Sequence, residues 1–374
     1  MRGPAVQTIV IAAGGTGGHF FPAEALAAEL LSRGHRIMLM TDARSGAMKS
    51  QVFAGQEQHV LPGAGIAGRG AWRGAKAVVG LAAGIVQARR IMARQTVGAV
   101  VGFGGYPCVG PILGAGLLAR RPALVLHEQN AVLGRANRFL AKRVDRLALS
   151  FAGTERVPAT QASEVVGNPV RPAIAALAAL PYAEPTDRVR LAVLGGSLGA
   201  RVFSDIVPPA LTALPDAIRA RLVLTQQCRA EDLERVRSAY AGVGIEAELS
   251  PFFPDVADRL AAAHLVIARA GASTVSELAV AGRPAILVPL PGAIDDHQSA
   301  NARALAAAGA VRVMAQPAFT AGALAEALTD LLSSPAGLSA MARAARTEAR
   351  PDAAARLADL VETLMNRNAL EARA

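Results

Sequence analysis

The run Leu265-Val266-Ile267-Ala268-Arg269-Ala270-Gly271-Ala272-Ser273-Thr274-Val275-Ser276-Glu277 decides the fold. Its first four residues are apolar and rich in β-branched side chains, which predicts a buried strand. A turn of small residues follows and opens a helix over 275–281, stopped by Gly282-Arg283-Pro284. A second apolar run, 285–289, leads into a polar loop, Asp295-Asp296-His297-Gln298, with Asn301 beyond it. Strand, helix and strand in that order form a crossover unit, so the strands are parallel and the turns lie at the carboxyl edge of a sheet.

Such an edge can do a limited set of things. Free N–H groups at the start of the 273–281 helix favour an anion, most simply a phosphate. Glu277 lies about one turn inside, where its carboxylate can accept hydrogen bonds from a ribose diol. Gln298 and Asn301 offer neutral groups that suit sugar hydroxyls. Phosphate, ribose and sugar together point to a nucleotide sugar. The plain alternative is an ordinary α/β unit with a solvated loop, and this stretch alone does not separate the two.

The same pattern recurs along the chain. Thr8–Ala13 is a strand, Gly14-Gly15-Thr16-Gly17-Gly18-His19 a glycine loop, 22–32 a helix and 36–40 a second strand ending at Thr41-Asp42. The loop lets backbone amides approach a ligand, yet it is not the dinucleotide fingerprint, because Phe20 stands where the third glycine should be. Asp42 still sits where the ribose-binding acid of an NAD enzyme would, so a dehydrogenase stays open. His19 is the titratable group of the loop, suited either to a structural hydrogen bond or to general-base work.

Val97–Val101 feeds a second glycine loop, Gly102-Phe103-Gly104-Gly105-Tyr106-Pro107, and Ala123–Leu126 ends in His127-Glu128-Gln129-Asn130. Gly167-Asn168-Pro169-Val170-Arg171-Pro172 reads as a linker. Strand 191–194 then opens a third glycine loop, Gly195-Gly196-Ser197-Leu198-Gly199-Ala200, and Thr320–Leu370 reads as alanine-rich helix. The 374 residues suffice for two domains, and 52% apolar with 4% aromatic residues predicts cores of Ala, Val, Leu and Ile.

Charge is uneven. Residues 1–168 hold 19 Lys and Arg against 8 Asp and Glu, whereas 169–374 hold 20 against 21, which together give the net +10. No acidic residue lies between Glu57 and Glu128, but eight basic ones do. The stretch 69–94 mixes Trp72, Val78, Val79, Leu81, Ile85 and Val86 with Arg73, Lys76, Arg89, Arg90 and Arg94, a composition that fits an anionic lipid surface. The alternative is a core helix with a solvated basic face. Nucleic acid is disfavoured, since Trp72 is the one aromatic there to stack on bases. Gln95–Ala119 is uncharged for 25 residues, but its seven glycines and two prolines argue against a membrane span. Cys108 and Cys228 have no metal or disulfide spacing, which favours a reducing compartment, and no Asp-x-Asp motif is present.

Five motifs fall in order between Thr8 and Ala302: Gly14-Gly15-Thr16-Gly17-Gly18-His19-x-x-Pro22, His127-Glu128-Gln129-Asn130, Gly167-Asn168-Pro169-Val170-Arg171, Gly195-Gly196-Ser197-x-Gly199-Ala200 and Ala272-Ser273-Thr274-Val275-Ser276-Glu277. Together they resemble the bacterial glycosyltransferases of family 28 that add N-acetylglucosamine to a lipid-linked muramyl-pentapeptide. The resemblance implies the α/β GT-B fold, two Rossmann-like doubly wound parallel-sheet domains facing across a cleft. It divides the chain into an acceptor and membrane-side domain over 1–168, with a terminal helix from about 350 to 374 packed back on it, and a UDP-sugar domain over 169–349.

Carried over residue by residue, the resemblance places Thr16, Gly17, Gly18, Arg171 and Ser197 near the diphosphate of UDP-N-acetylglucosamine. Asn130 and Gln298 hold the N-acetylglucosamine, Phe253 reads uracil through its backbone, and Ala272 to Glu277 cradle phosphate and ribose. Gly14, Gly15, Gly104, Gly105 and Tyr106 face the acceptor, lipid I. The expected reaction is an inverting transfer with His19 as the base and neither cofactor nor metal, at the cytoplasmic face of the inner membrane. A different lipid acceptor, such as diacylglycerol, is the nearest rival.

Overall fold

The computed structural model describes residues 7–14, 17–43, 50–62, 71–196 and 199–371, the side chains of 71–77 excepted. The chain divides into two compact units, Met1–Arg171 with Asp352–Ala374, and Pro172–Pro351.

Unit 1 runs β1 (Thr8–Ala12), α1 (Gly17–Ser32), β2 (Arg36–Thr41), β3 (Glu57–Val60), α2 (Ala71–Met92), β4 (Val97–Gly102), α3 (Val109–Gly116), β5 (Ala123–Glu128), α4 (Arg135–Leu140), β6 (Arg146–Leu149) and β7 (Ser163–Val165). Unit 2 follows with α5 (Pro172–Ala175), β8 (Val189–Leu194), α6 (Arg201–Thr212), α7 (Asp216–Arg219), β9 (Leu222–Gln227), α8 (Leu233–Ala241), β10 (Glu246–Ser250), α9 (Val256–Ala262), β11 (Leu265–Ala268), α10 (Ala272–Ala281), β12 (Ala285–Leu287), α11 (His297–Ala307), β13 (Val311–Val313), α12 (Ala321–Leu332) and α13 (Pro335–Thr347). The final helix, α14 (Ala353–Glu371), belongs to unit 1 again.

Both sheets are parallel throughout. Unit 1 has the strand order β3-β2-β1-β4-β5-β6-β7, and unit 2 has β10-β9-β8-β11-β12-β13. In each sheet the order reverses once, between β1 and β4 and between β8 and β11. Connections leave those two strands in opposite directions, which opens a crevice at their carboxyl ends. The four loops there are those after β1, β4, β8 and β11.

Unit 1 is packed on both faces of its sheet. Ile9, Ile11, Val101 and Val125 meet Leu26 and Leu30 of α1 and Leu357, Val361 and Leu364 of α14. On the other face Val10, Met38, Val100 and Leu124 meet Ala88 and Met92 of α2 and Ile112 and Ala115 of α3. Arg33 fastens α1 to α14, with Nη1 2.6 Å from Asp359 and 2.8 Å from Glu362. In unit 2, Leu191, Val193, Leu224 and Ile267 meet Phe203, Val207, Leu324 and Leu328.

Several element boundaries differ from those expected of the sequence. α1 starts at Gly17 rather than near residue 22, and α10 at Ala272, because both loops pass directly into a first turn that tolerates small residues. β5 continues through His127 and Glu128, whose polar groups are met by buried partners instead of water. Gln298 and Asn301 lie in α11, not in a loop. Residues 71–92 form one helix despite Gly74, Gly80 and Gly84. Close packing explains this: a Cβ on Gly84 would come 2.5 Å from the Pro62 carbonyl oxygen in the segment after β3, and Cβ atoms on Gly110 and Gly114 of α3 would come 3.4 Å from the Gly84 carbonyl oxygen and 2.9 Å from that of Ile85. Close backbone approach between α2 and α3 offsets the lower helix propensity.

Leu357 is fully buried where α14 covers the sheet. Leu357→Ala is expected to destabilise unit 1 by about 2–5 kcal/mol, read as a lowered denaturation midpoint for the full chain.

Candidate active site

In unit 2 the site is built on α10. Gly271 precedes its first residue, and no side chain caps the amides of its first turn. Those amides and the helix dipole favour an anion. The Ser273 Oγ, buried at this end, has no hydrogen-bond partner among the described residues. Glu277 stands five residues into the helix, about 7 Å along its axis from Ala272. Arg269, in the turn before the helix, donates to the carbonyls of Val288 and Pro289 at 3.1 and 3.3 Å and to Gln316 Oε1 at 2.7 Å, tying the β11 turn to the segment after β12. That segment turns through Asp295 and Asp296, both in the left-handed region, and delivers Gln298 to the first turn of α11. Gln298 Oε1 accepts from the Leu290 amide at 2.9 Å, so its amide nitrogen is the end left to donate.

Asn301 does not offer itself to a sugar, contrary to expectation. It is fully buried and donates to the Ala270 carbonyl at 3.1 Å, fixing α11 to the turn before α10. Phe253 is buried too, with the Arg259 guanidinium 4.0 Å over its ring, which leaves its backbone as the part that could read a base. The third glycine loop is braced from β9. Gln227 accepts from the Gly195 amide at 3.0 Å and donates to the carbonyls of Gly196 and Pro251 at 3.0 and 3.1 Å. Gly195 cannot carry a side chain, because a Cβ would fall 2.5 Å from the Ala200 nitrogen. Ser197 lies outside the described residues.

In unit 1 the loops after β1, β4 and β5 converge. Gly17, Gly18 and His19 form the first turn of α1, and Gly15 and Thr16 lie outside the described residues. His19 Nδ1 is 2.8 Å from Gln129 Oε1. Gly104 and Gly105 have φ of 82° and 67°. A Cβ on Gly104 would stand 3.4 Å from His19 Cε1 and 3.5 Å from Asn137 Nδ2, so the bare backbone leaves the histidine edge open. His127 is fully buried beside Phe103, its ring centroid 5.3 Å away, and burial lowers its pKa to about 4.

Glu128 organises the rest of this loop. It is 2% exposed and accepts from the Asn130 amide and side chain at 3.0 and 3.1 Å, from the Gly134 amide at 2.8 Å and from Asn137 Nδ2 at 2.8 Å. Four donors satisfy both of its oxygens. Asn130 is thereby placed at the half-buried end of the strand. Arg171, the last residue of unit 1, stacks 5.1 Å over Phe21 of α1.

Asp42 does not have the role a dinucleotide site would give it. It is 3% exposed, and Tyr106 donates to its Oδ2 at 2.6 Å. A Cβ on Gly14 would fall 2.9 Å from its other oxygen, so the carboxylate is roofed by the loops on either side. The structure therefore joins Gly14, Asp42 and Tyr106 on one side of the loops and His19, Gly104, Gln129 and Asn137 on the other. Sequence reasoning missed Gln227, Arg269 and Asn137. Gln227 and Arg269 each left a signal, a polar residue at the carboxyl end of an apolar strand. Among the described residues no cluster of His, Cys, Asp and Glu could hold a metal ion.

Two parallel sheets in tandem, each with a glycine-bearing loop at its switch point, together with the family matches define a glycosyltransferase of the GT-B class. Residues 9–149 match the glycosyltransferase family 28 N-terminal domain and residues 190–357 its C-terminal domain. The chain belongs to glycosyltransferase family 28. It is 61% identical to the UDP-N-acetylglucosamine--N-acetylmuramyl-(pentapeptide) pyrophosphoryl-undecaprenol N-acetylglucosamine transferase of Granulibacter bethesdensis, over 96% of this chain and 94% of that one. The protein of the same name from Acidiphilium cryptum is 56% identical over 96% and 98%. Among solved structures, MurG of Acinetobacter baumannii superimposes with a TM-score of 0.78 at 31% identity, over 96% of this chain and 99% of that one.

Glu128→Ala orphans the buried donors of Gly134 and Asn137, and is expected to cost about 3 kcal/mol of unit 1 stability. Chemical denaturation of the purified chain reads the loss, and an unchanged midpoint would refute the organising role of Glu128.

Proposed function

We propose that this chain transfers N-acetylglucosamine, with inversion, from UDP-N-acetylglucosamine to the 4-hydroxyl of the muramyl sugar of undecaprenyl-linked lipid I, forming lipid II for peptidoglycan synthesis. The observation that carries this reading is the identity of more than half, across 96% of the chain, to relatives named for that transfer. The identity spans both units, so donor and acceptor halves are matched together. Membership of family 28 leaves the dehydrogenase without support.

The chemistry follows from the two half-sites. In unit 2 the first-turn amides of α10 meet the diphosphate, and Glu277 takes the ribose hydroxyls. As the anomeric carbon–oxygen bond breaks, negative charge grows on the leaving diphosphate. Amide dipoles already aimed there stabilise the transition state more than the ground state. Ser197, Arg171, Thr16, Gly17 and Gly18 add to that cradle, Asn130 and Gln298 hold the sugar, and the Phe253 backbone reads the uracil. In unit 1, His19 takes the proton from the attacking hydroxyl, while Gly104, Gly105 and Tyr106 line the acceptor side.

Attachment to the membrane is by surface contact. Among the described residues no helix is long and apolar enough to cross a bilayer. α2 exposes Val78, Val79 and Val86 at 61, 69 and 47%, and Arg89, Arg90 and Arg94 are exposed near its C-terminal end. Apolar side chains beside arginines suit the headgroup region of an anionic leaflet, at the cytoplasmic face of the inner membrane. Trp72, Arg73 and Lys76 fall on the side chains that are not described.

Supplied with a soluble lipid I analogue and with diacylglycerol in parallel, the purified chain is expected to glycosylate only the former. His19→Ala should lower kcat about 100- to 10,000-fold with little change in the donor KM. Glu277→Ala should instead raise the donor KM about tenfold or more. In liposome sedimentation, vesicles carrying anionic lipid should retain the chain and neutral ones should not, with release as salt rises.

A further inference from the structure

Two histidines and one glutamine form an unbroken line of hydrogen bonds in unit 1. His127 Nε2 is 2.9 Å from the Gly167 carbonyl oxygen. Gln129 Nε2 is 2.9 Å from His127 Nδ1 and 3.1 Å from the His127 carbonyl oxygen. Gln129 Oε1 is 2.8 Å from His19 Nδ1. Both ends of the inner part of this line rest on backbone carbonyls, which accept and never donate. They set the direction of every bond between them.

The Gly167 carbonyl requires a proton on His127 Nε2. His127 is fully buried and stays neutral at physiological pH, so its Nδ1 carries a lone pair and must receive a donor. The amide nitrogen of Gln129 supplies that donor, and its second hydrogen goes to the His127 carbonyl, which also accepts from Asn137 Nδ2 at 3.2 Å. The Gln129 oxygen then faces His19 Nδ1, and an amide oxygen can only accept. The proton of neutral His19 is therefore on Nδ1, and the lone pair is on Nε2.

We infer that Gln129, oriented by His127, is a positioning residue that locks His19 in the Nδ1–H tautomer and presents Nε2 as the proton acceptor. Free histidine in water favours the opposite tautomer, so the protein imposes this one. His19 Nε2 lies 3.9 Å from where a Cβ on Gly105 would be, against a backbone stripped of side chains. An amide rather than a carboxylate in this place orients the ring without setting a second charge beside it. Gln129 is 1% exposed, and its hydrogen bonds hold the ring in one plane as well as in one tautomer.

The inference rests on His19 being the base, and the two can fail separately. Long-range proton–nitrogen correlation spectra of the full chain labelled with [15N]histidine report the tautomer of each ring directly, with His19 assigned from the peak lost in His19→Asn. The expected spectrum at mildly alkaline pH shows His19 protonated on Nδ1 and His127 on Nε2. Gln129→Met should move His19 toward the Nε2–H form and lower kcat by about tenfold or more, with the donor KM within about twofold. A wild-type spectrum with His19 protonated on Nε2 overturns the proposal without recourse to any variant, as does a Gln129→Met chain that folds and keeps the Nδ1–H form. If the tautomers are as stated but His19→Ala retains full turnover, the base assignment falls and the hydrogen-bonded lock remains.

Discussion

A parallel sheet whose strand order reverses must part its connections at the reversal, and everything functional here depends on that parting. β1 and β4 in one unit, and β8 and β11 in the other, send their chains to opposite faces. The backbone at those four strand ends has amides to satisfy and no strand to pair with. Glycine answers this in the loops after β4 and β8. Gly104, Gly105, Gly196 and Gly199 take positive φ, and the absent Cβ of Gly195 lets the chain fold back on itself. In the loop after β11 a short turn of small residues passes at once into α10, whose N-cap glycine has no side chain to offer the first amides. Site and fold are thus one solution to one hydrogen-bonding problem.

Legibility in the sequence follows this division. Apolar β-branched runs punctuated by glycines gave away the strands and the tandem repeat, because a buried parallel strand leaves little else for its residues to be. Helix starts were harder. Gly17 and Ala272 are both helical, and nothing in a run of small residues marks where a loop becomes a turn of helix. The sugar-facing reading of Asn301 failed for a related reason: one turn of α11 carries it inward to Ala270, while Gln298 stays at the surface. The two share a polar stretch and are separated by helical phase.

The candidate site was legible where a motif names its own chemistry and illegible where one residue acts on another at long range. Glu277 and His19 stand out from their neighbours by type. Gln227 bracing Gly195 and Arg269 spanning to Gln316 are pairings across tens of residues, and Asn137 reaches back around a turn to Glu128, none of which a single chain read end to end reveals. Asp42 shows the converse. Its position at a strand end matched a nucleotide site, yet the Tyr106 hydroxyl from the neighbouring loop had already claimed it. Position proposes a role, and the partner across the fold decides it.

The return of α14 to unit 1 orders events in time as well as in space. Leu357, Val361 and Leu364 are part of the core that Ile9 and Ile11 begin, and the whole of unit 2 is synthesised between them. On the ribosome the half that emerges first therefore waits with one sheet face only partly covered, by α1. The half that emerges second, whose core cluster lies within 182–341, can close before it. The chain is translated from the N-terminus but its first unit is completed last, so a nascent protein halted before α14 would hold the whole of unit 2 attached to an unfinished unit 1.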